Sequence, residues 1–113
     1  MAKSEQETAW APKPDDIPQL KRDAEAGDAI AQYNLGLCYA NGNGVEVDLA
    51  ETVRWLRKAA EQGLPQAQFN LGMCLSRGVG VEKNVVEGTM WLNSAAQQGH
   101  AEAERILKQW WGD

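Results

Sequence analysis

Apolar residues in the middle of the chain recur at helical spacing. Ala31, Leu35, Cys38 and Tyr39 fall at i, i+4, i+7 and i+8, and Thr52, Leu56, Ala59 and Ala60 form a second stripe of the same kind. Such stripes mark amphipathic helices with one buried face. β-branched residues are sparse and do not alternate in the way a strand requires. The pattern then repeats. Residues 27–62 and 63–98 align without a gap over 36 positions, 17 of them identical. The identities include Gly27/Gly63, Ala31/Ala67, Asn34/Asn70, Leu35/Leu71, Gly36/Gly72, Cys38/Cys74, Trp55/Trp91, Leu56/Leu92 and Ala59/Ala95. Leu20, Ala24 and Gly27 carry the register upstream, and Gly99, Ala103 and Leu107 carry it downstream. Self-similarity at this period is the mark of a solenoid, in which each unit buries its apolar face against its neighbours.

Each unit reads as helix, loop, helix. The expected helices cover 16–26, 28–40, 48–62, 64–76, 84–98 and 100–111, with no strand. Asp48 and Asn84 are placed to cap the second (B) helix of each unit, and Pro65 suits the first turn of the second A helix. Gly27, Gly63 and Gly99 are placed to supply the left-handed residue that ends a B helix. The A–B loops hold the glycine pairs Gly42/Gly44 and Gly78/Gly80, where positive φ is expected. Gly36 and Gly72 stand in mid-helix, at a cost of about 1 kcal/mol each relative to Ala. A close helix crossing accounts for that cost, with Thr52 and Gly88 as the facing residues. The predicted organisation is a Pro-containing tail over 1–15 and an all-α αα-superhelix over 16–111. The superhelix divides into a half-repeat 16–26, repeats 27–62 and 63–98, and a capping helix 99–111.

The string A-Q-x-N-L-G-x-C-x-x-x-G-x-G-V-E, followed by W-L-x-x-A-A-x-Q-G, resembles the Sel-one-like repeat (SLR), a relative of the tetratricopeptide repeat. The resemblance covers residues 26–104 and is specific, because the glycine pairs, the Trp and the Ala-Ala-x-x-Gly ending occur together twice. It implies a right-handed superhelix of antiparallel helix pairs and a non-catalytic scaffold or adaptor role, commonly in bacteria. There are departures. Leu75 replaces Tyr39, Thr52 and Gly88 stand where the family usually has Ala, and Arg105 and Lys108 replace the aromatic and glycine of the last A helix. The last change suits the polar cap that a terminal repeat needs. By the same resemblance, the residues lining a concave groove map to Ile30, Tyr33, Asn34, Leu37 and Asn41 in one unit. In the other they map to Gln66, Phe69, Asn70, Met73 and Arg77. Tyr33, Leu37, Phe69 and Met73 would give an apolar floor and the two Asn amide walls, a surface for an extended or helical peptide. The alternative is that Tyr33 and Phe69 pack on neighbouring helices and the Asn pair satisfies loop carbonyls.

Composition narrows the partner. The net charge is −5 with both signs mixed along the chain, so no basic stripe exists to displace counterions from a nucleic acid. No stretch is apolar enough to cross a bilayer. MAKSEQETAW lacks the apolar core of a secretory signal, so the compartment expected is the cytoplasm, or the periplasm if a signal was removed ahead of it. Cys38 and Cys74 sit on equivalent helices, about 8–10 Å apart in such stacks, too far for a disulfide. Reduced, buried thiols are expected. Neither a metal site nor a cofactor is indicated, and the one histidine, His100, opens a helix, where capping or solvation is its ordinary role. Trp55 and Trp91 are expected to fill space between helices, and Trp110 and Trp111 to seal the open end or to present a contact. Trp10 lies in the tail. These features point to a protein or peptide partner and no enzyme activity. An inhibitory, immunity-type protein and a subunit that self-associates through its ends stand as alternatives.

Overall fold

The computed structural model describes residues 16–112. It contains six α-helices: α1 Ile17–Glu25, α2 Ala29–Asn41, α3 Leu49–Glu61, α4 Pro65–Arg77, α5 Val85–Gln97 and α6 Ala101–Trp111. The described residues hold no strand. Every expected helix is present, with ends within two residues of the expected ones. The tail over 1–15, with Trp10, lies outside the described residues.

Local chemistry sets the helix ends. Asp48 Oδ1 accepts from the Glu51 N–H at 3.1 Å and Asn84 Oδ1 from the Glu87 N–H at 3.0 Å, each satisfying a donor that has no intrahelical partner. Asp28 does the same for Ala31 at the start of α2. At the start of α6 the imidazole of His100 takes this role, its Nδ1 accepting from the Ala103 N–H at 3.1 Å. Each B-type helix stops at a glycine with positive φ: Gly27 at 105°, Gly63 at 98° and Gly99 at 90°.

Consecutive helices pack antiparallel, α2 with α3 and α4 with α5 most extensively, and the stack measures 45 × 30 × 22 Å. The core is a chain of three clusters, centred on the α1–α2, α3–α4 and α5–α6 contacts. Ala24, Ala31, Leu35 and Trp55 form the first. Val53, Leu56, Ala59, Ala60, Ala67, Leu71 and Leu75 form the second, and Leu92, Ala95, Ala103 and Ile106 the third. Leu35, Leu56, Leu71, Leu75 and Leu92 are fully buried, and each contributes about 1.5–3 kcal/mol from its removal from water. The mid-helix glycines allow the pairs to close. A methyl group on Gly36 would stand 3.3 Å from the Thr52 carbonyl oxygen, and one on Gly72 would stand 2.8 Å from that of Gly88.

A polar relay holds the units in step. Gln32 Nε2 donates to the Ala24 carbonyl at 3.0 Å, and Gln62 Nε2 donates to both the Gly27 carbonyl and Gln32 Oε1. Gln68 and Gln98 reproduce the arrangement on Ala60, Gly63 and Gln68 Oε1. Gln32 and Gln68 are buried, and their bonds satisfy the buried Ala24 and Ala60 carbonyls at the ends of B-type helices, while Gln62 and Gln98 bond the exposed Gly27 and Gly63 carbonyls.

Candidate functional site

The ten groove residues expected from the repeat register occupy one face of α2 and the equivalent face of α4, and none is buried. Ile30, Asn41, Gln66 and Arg77 are exposed, and Tyr33, Asn34, Leu37, Phe69, Asn70 and Met73 are half-buried. The buried residues Ala31, Gln32, Leu35, Gly36 and Cys38 fall on the opposite side of α2. The division follows from helical geometry. Positions 30, 33, 34, 37 and 41 lie within about 100° of one another around a helix of 3.6 residues per turn.

The two aromatics do structural work as well. Tyr33 packs against the cluster built from α3 and α4, and Phe69 and Met73 pack against the one built from α5 and α6. Phe69 also stacks on the His100 ring, with centroids 4.7 Å apart. Phe69 therefore reaches forward past its own unit, and Tyr33 packs on a cluster shared by its own unit and the next. The Asn amides behave differently from the alternative expectation. Neither Asn34 nor Asn70 has a hydrogen-bond partner among the described residues. The loop carbonyls are met instead by Gln32, Gln62, Gln68 and Gln98, whose role the sequence signalled only through their identity in both units. The face thus offers apolar surface, two unpartnered amides and the cation of Arg77. It holds no nucleophile–base pair, and the described residues hold no cluster of three metal-ligating side chains.

The thiols of Cys38 and Cys74 are free, the first buried and the second half-buried. Burial pushes both up from the usual thiol range, with Arg77 pulling Cys74 slightly back. The equivalent tryptophans differ. Trp91 Nε1 donates to Glu87 Oε2 at 3.3 Å, and Arg57 from α3 donates to the same carboxylate oxygen at 2.7 Å. That pairing holds the Glu87 carboxyl below its usual range. Trp55 is buried under the Arg54 guanidinium, 4.6 Å above its ring, and its Nε1 has no partner.

Sealing of the open end by Trp110 and Trp111 is not what the structure shows. Trp111 is 62% exposed. It stands beside Val86 and Met90, which are 74% and 62% exposed. The register explains the exposure. Trp111 occupies the place of Leu75, and Val81 from the loop after α4 packs onto the cluster that holds Leu75, whereas no described residue packs onto Trp111 in that way. The sequence reading missed Val85, Val86 and Met90. Their signal was Met90, apolar where the first unit has Arg54, beside Val85 and Val86 at the places of Leu49 and Ala50.

Fold and face together define an αα-solenoid of the repeat-protein class. The chain belongs to the Sel1 repeat family, whose profile, described as Sel1 repeat, matches residues 29–64 and 65–100. Among solved structures, it is similar to a Sel1 repeat protein from Oxalobacter formigenes, with 39% identity and a TM-score of 0.82 over 83% of this chain and 71% of that one. It is also similar to a protective antigen present in uropathogenic Escherichia coli strains and displaying an SLR fold. That match has 42% identity and a TM-score of 0.80 over 82% of this chain and 20% of the antigen's. A search of curated proteins gives no match. Sel1 repeat proteins generally mediate protein–protein interaction, and no helix among the described residues is long and apolar enough to cross a membrane.

Proposed function

We propose that the chain is a non-catalytic adaptor of the cytoplasm that holds a segment of a partner protein on the face made by α2 and α4. One observation carries the reading. Asn34 and Asn70, one repeat apart, present amides with no partner among the described residues, each flanked by accessible apolar side chains. An amide carries both donors and an acceptor, so it suits the main chain of a bound peptide. Leu37 and Met73 beside it suit an apolar anchor. The two free thiols are consistent with a reducing compartment.

The test uses a photo-crosslinking residue at Ile30 and, separately, at Gln66, in cells of the native host. The expected result is one crosslinked protein common to both sites. That product should fall at least tenfold when Leu37→Glu and Asn70→Ala are added, and a crosslinker at Arg54 on α3 should not give it. If Arg54 yields the product while Ile30 and Gln66 do not, the α2/α4 face is not the binding surface.

A further inference from the structure

The second unit contains a clasp that the first holds unmade. In α5 the Glu87 carboxylate accepts from Trp91 Nε1 at 3.3 Å and from Arg57 of α3 at 2.7 Å, so one carboxylate ties two B-type helices together. One period of 36 residues earlier, the same three places hold Lys21 on α1, and Glu51 and Trp55 on α3. The surroundings repeat as well. Trp55 shares a cluster with Leu20, Ala24, Ala31 and Leu35, and Trp91 packs against the cluster that holds their counterparts Leu56, Ala60, Ala67 and Leu71. Lys21 is half-buried, as Arg57 is.

The bonds differ. Glu51 turns to Arg54 in its own helix, accepting from Nε at 3.2 Å and from Nη2 at 3.1 Å. Trp55 is 5% exposed, and its Nε1 has no acceptor. Lys21 has no ion pair among the described residues. One position accounts for the difference. The second unit has Met90 at the place of Arg54, so no neighbouring cation on α5 draws Glu87 away from Trp91. In the first unit Arg54 competes for the carboxylate.

The energies favour a second position for Glu51. An exposed ion pair within one helix contributes little, and the Arg54 and Glu51 side chains are 51% and 32% exposed. A buried N–H without an acceptor is costly. Glu51 stands one turn before Trp55, within reach of it, at the spacing that joins Glu87 to Trp91. Arg54 keeps a counter-charge when Glu51 leaves, because Glu25 at the end of α1 lines the same cleft and already favours the Arg54 charge.

We propose that Glu51 is a two-position latch. Its open position is the one on Arg54. Its closed position is on Trp55 Nε1 and Lys21, where it fastens α1 to α3 as the Arg57–Glu87–Trp91 group fastens α3 to α5. The state of Arg54 and the docking of the half-repeat are thereby coupled through one carboxylate.

Proton–nitrogen NMR of the indole groups in the full chain provides the test, with the Trp55 and Trp91 signals assigned from Trp55→Phe and Trp91→Phe. Arg54→Met copies the second unit and removes the competitor at an exposed position. In that variant the Trp55 N–H proton should move downfield towards the Trp91 signal, because a carboxylate acceptor deshields it. Loss of the guanidinium above the ring moves the signal by itself, so the deciding comparison is Arg54→Met with and without Glu51→Ala. The added substitution should reverse the downfield displacement. Amide exchange over residues 21–25 of α1 should be about threefold slower in Arg54→Met than when Glu51→Ala or Lys21→Met is added, the effect of one partly exposed ion pair. Thermal melts check that each variant folds. A Trp55 N–H signal that is the same in Arg54→Met with and without Glu51 overturns the proposal. So does a signal that responds while α1 exchange does not, since the carboxylate would then not fasten α1.

Discussion

Gly72 on α4 crosses Gly88 on α5 so closely that a methyl group on Gly72 would stand 2.8 Å from the Gly88 carbonyl oxygen and 2.9 Å from Leu92 Cγ. The equivalent crossing in the first unit, Gly36 against Thr52, is looser at 3.3 Å. Both glycines carry the same cost as helix-interior residues, so the difference between them lies in packing alone.

That difference predicts unequal responses to alanine. Gly36→Ala gains about 1 kcal/mol of helix propensity and asks its neighbours to give only slightly, so its stability should change little. Gly72→Ala gains the same amount but forces the α4–α5 pair apart, at an overpacking cost of about 1–3 kcal/mol. Urea unfolding of the two variants should separate them, with Gly72→Ala the less stable. Equal midpoints would show that the closer crossing relaxes freely.

The buried half of the glutamine relay should contribute measurably to stability. Gln68→Ala leaves the buried Ala60 carbonyl without its donor and removes the acceptor for Gln98, a loss of about 1–3 kcal/mol. Gln66→Ala, two residues earlier on the exposed face, should fall within about 0.5 kcal/mol of the parent. Thermal denaturation of both variants measures the contrast.

The Arg57–Glu87 pair gives stability a definite dependence on acid. The folded carboxyl sits below its unfolded value because Arg57 and then Trp91 hydrogen-bond to its ionised form. Its contribution is therefore complete above the ordinary carboxylate range and is lost as pH falls through the lower folded value. Both side chains are about one-third exposed, which screens the pair to about 0.2–1 kcal/mol. Glu87→Gln should flatten that part of the acid limb and leave stability at alkaline pH lower by the same small amount.

The thiols should label slowly in the native protein and in a fixed order. Cys38 is buried and Cys74 half-buried, and burial raises both above the usual thiol range, which lowers the thiolate fraction at neutral pH. Titration with a thiol reagent in native buffer should show Cys74 reacting first and both reacting far faster in denaturant. Mass mapping of the modified peptides assigns the order. Prompt labelling of Cys38 would contradict its burial.

The sequence by itself determined the number, order and ends of the helices. Those depend on local chemistry: the 36-residue period, the Asp48 and Asn84 caps, and glycines where φ turns positive. It also marked the faces of α2 and α4 that stay accessible, because a helix of known period sorts its residues by angle. It left open whether Tyr33 and Phe69 line a groove or pack on neighbouring helices, and the structure has each packed against a cluster that includes the following helix. That contact joins residues from different helices and depends on how far each unit is rotated against the last. Nor did it reveal that the Gln pairs, rather than the Asn pairs, satisfy the B-helix carbonyls. Both pairs are repeated identically, and only the stacking puts Gln32 within reach of Ala24. The exposure of Trp111 was decided in the same way. Its register place is a core position, and it is surface because no described residue covers it as Val81 covers the cluster of Leu75. Periodicity fixes which residues could be buried, and the neighbours supplied by the tertiary stack decide which of them are.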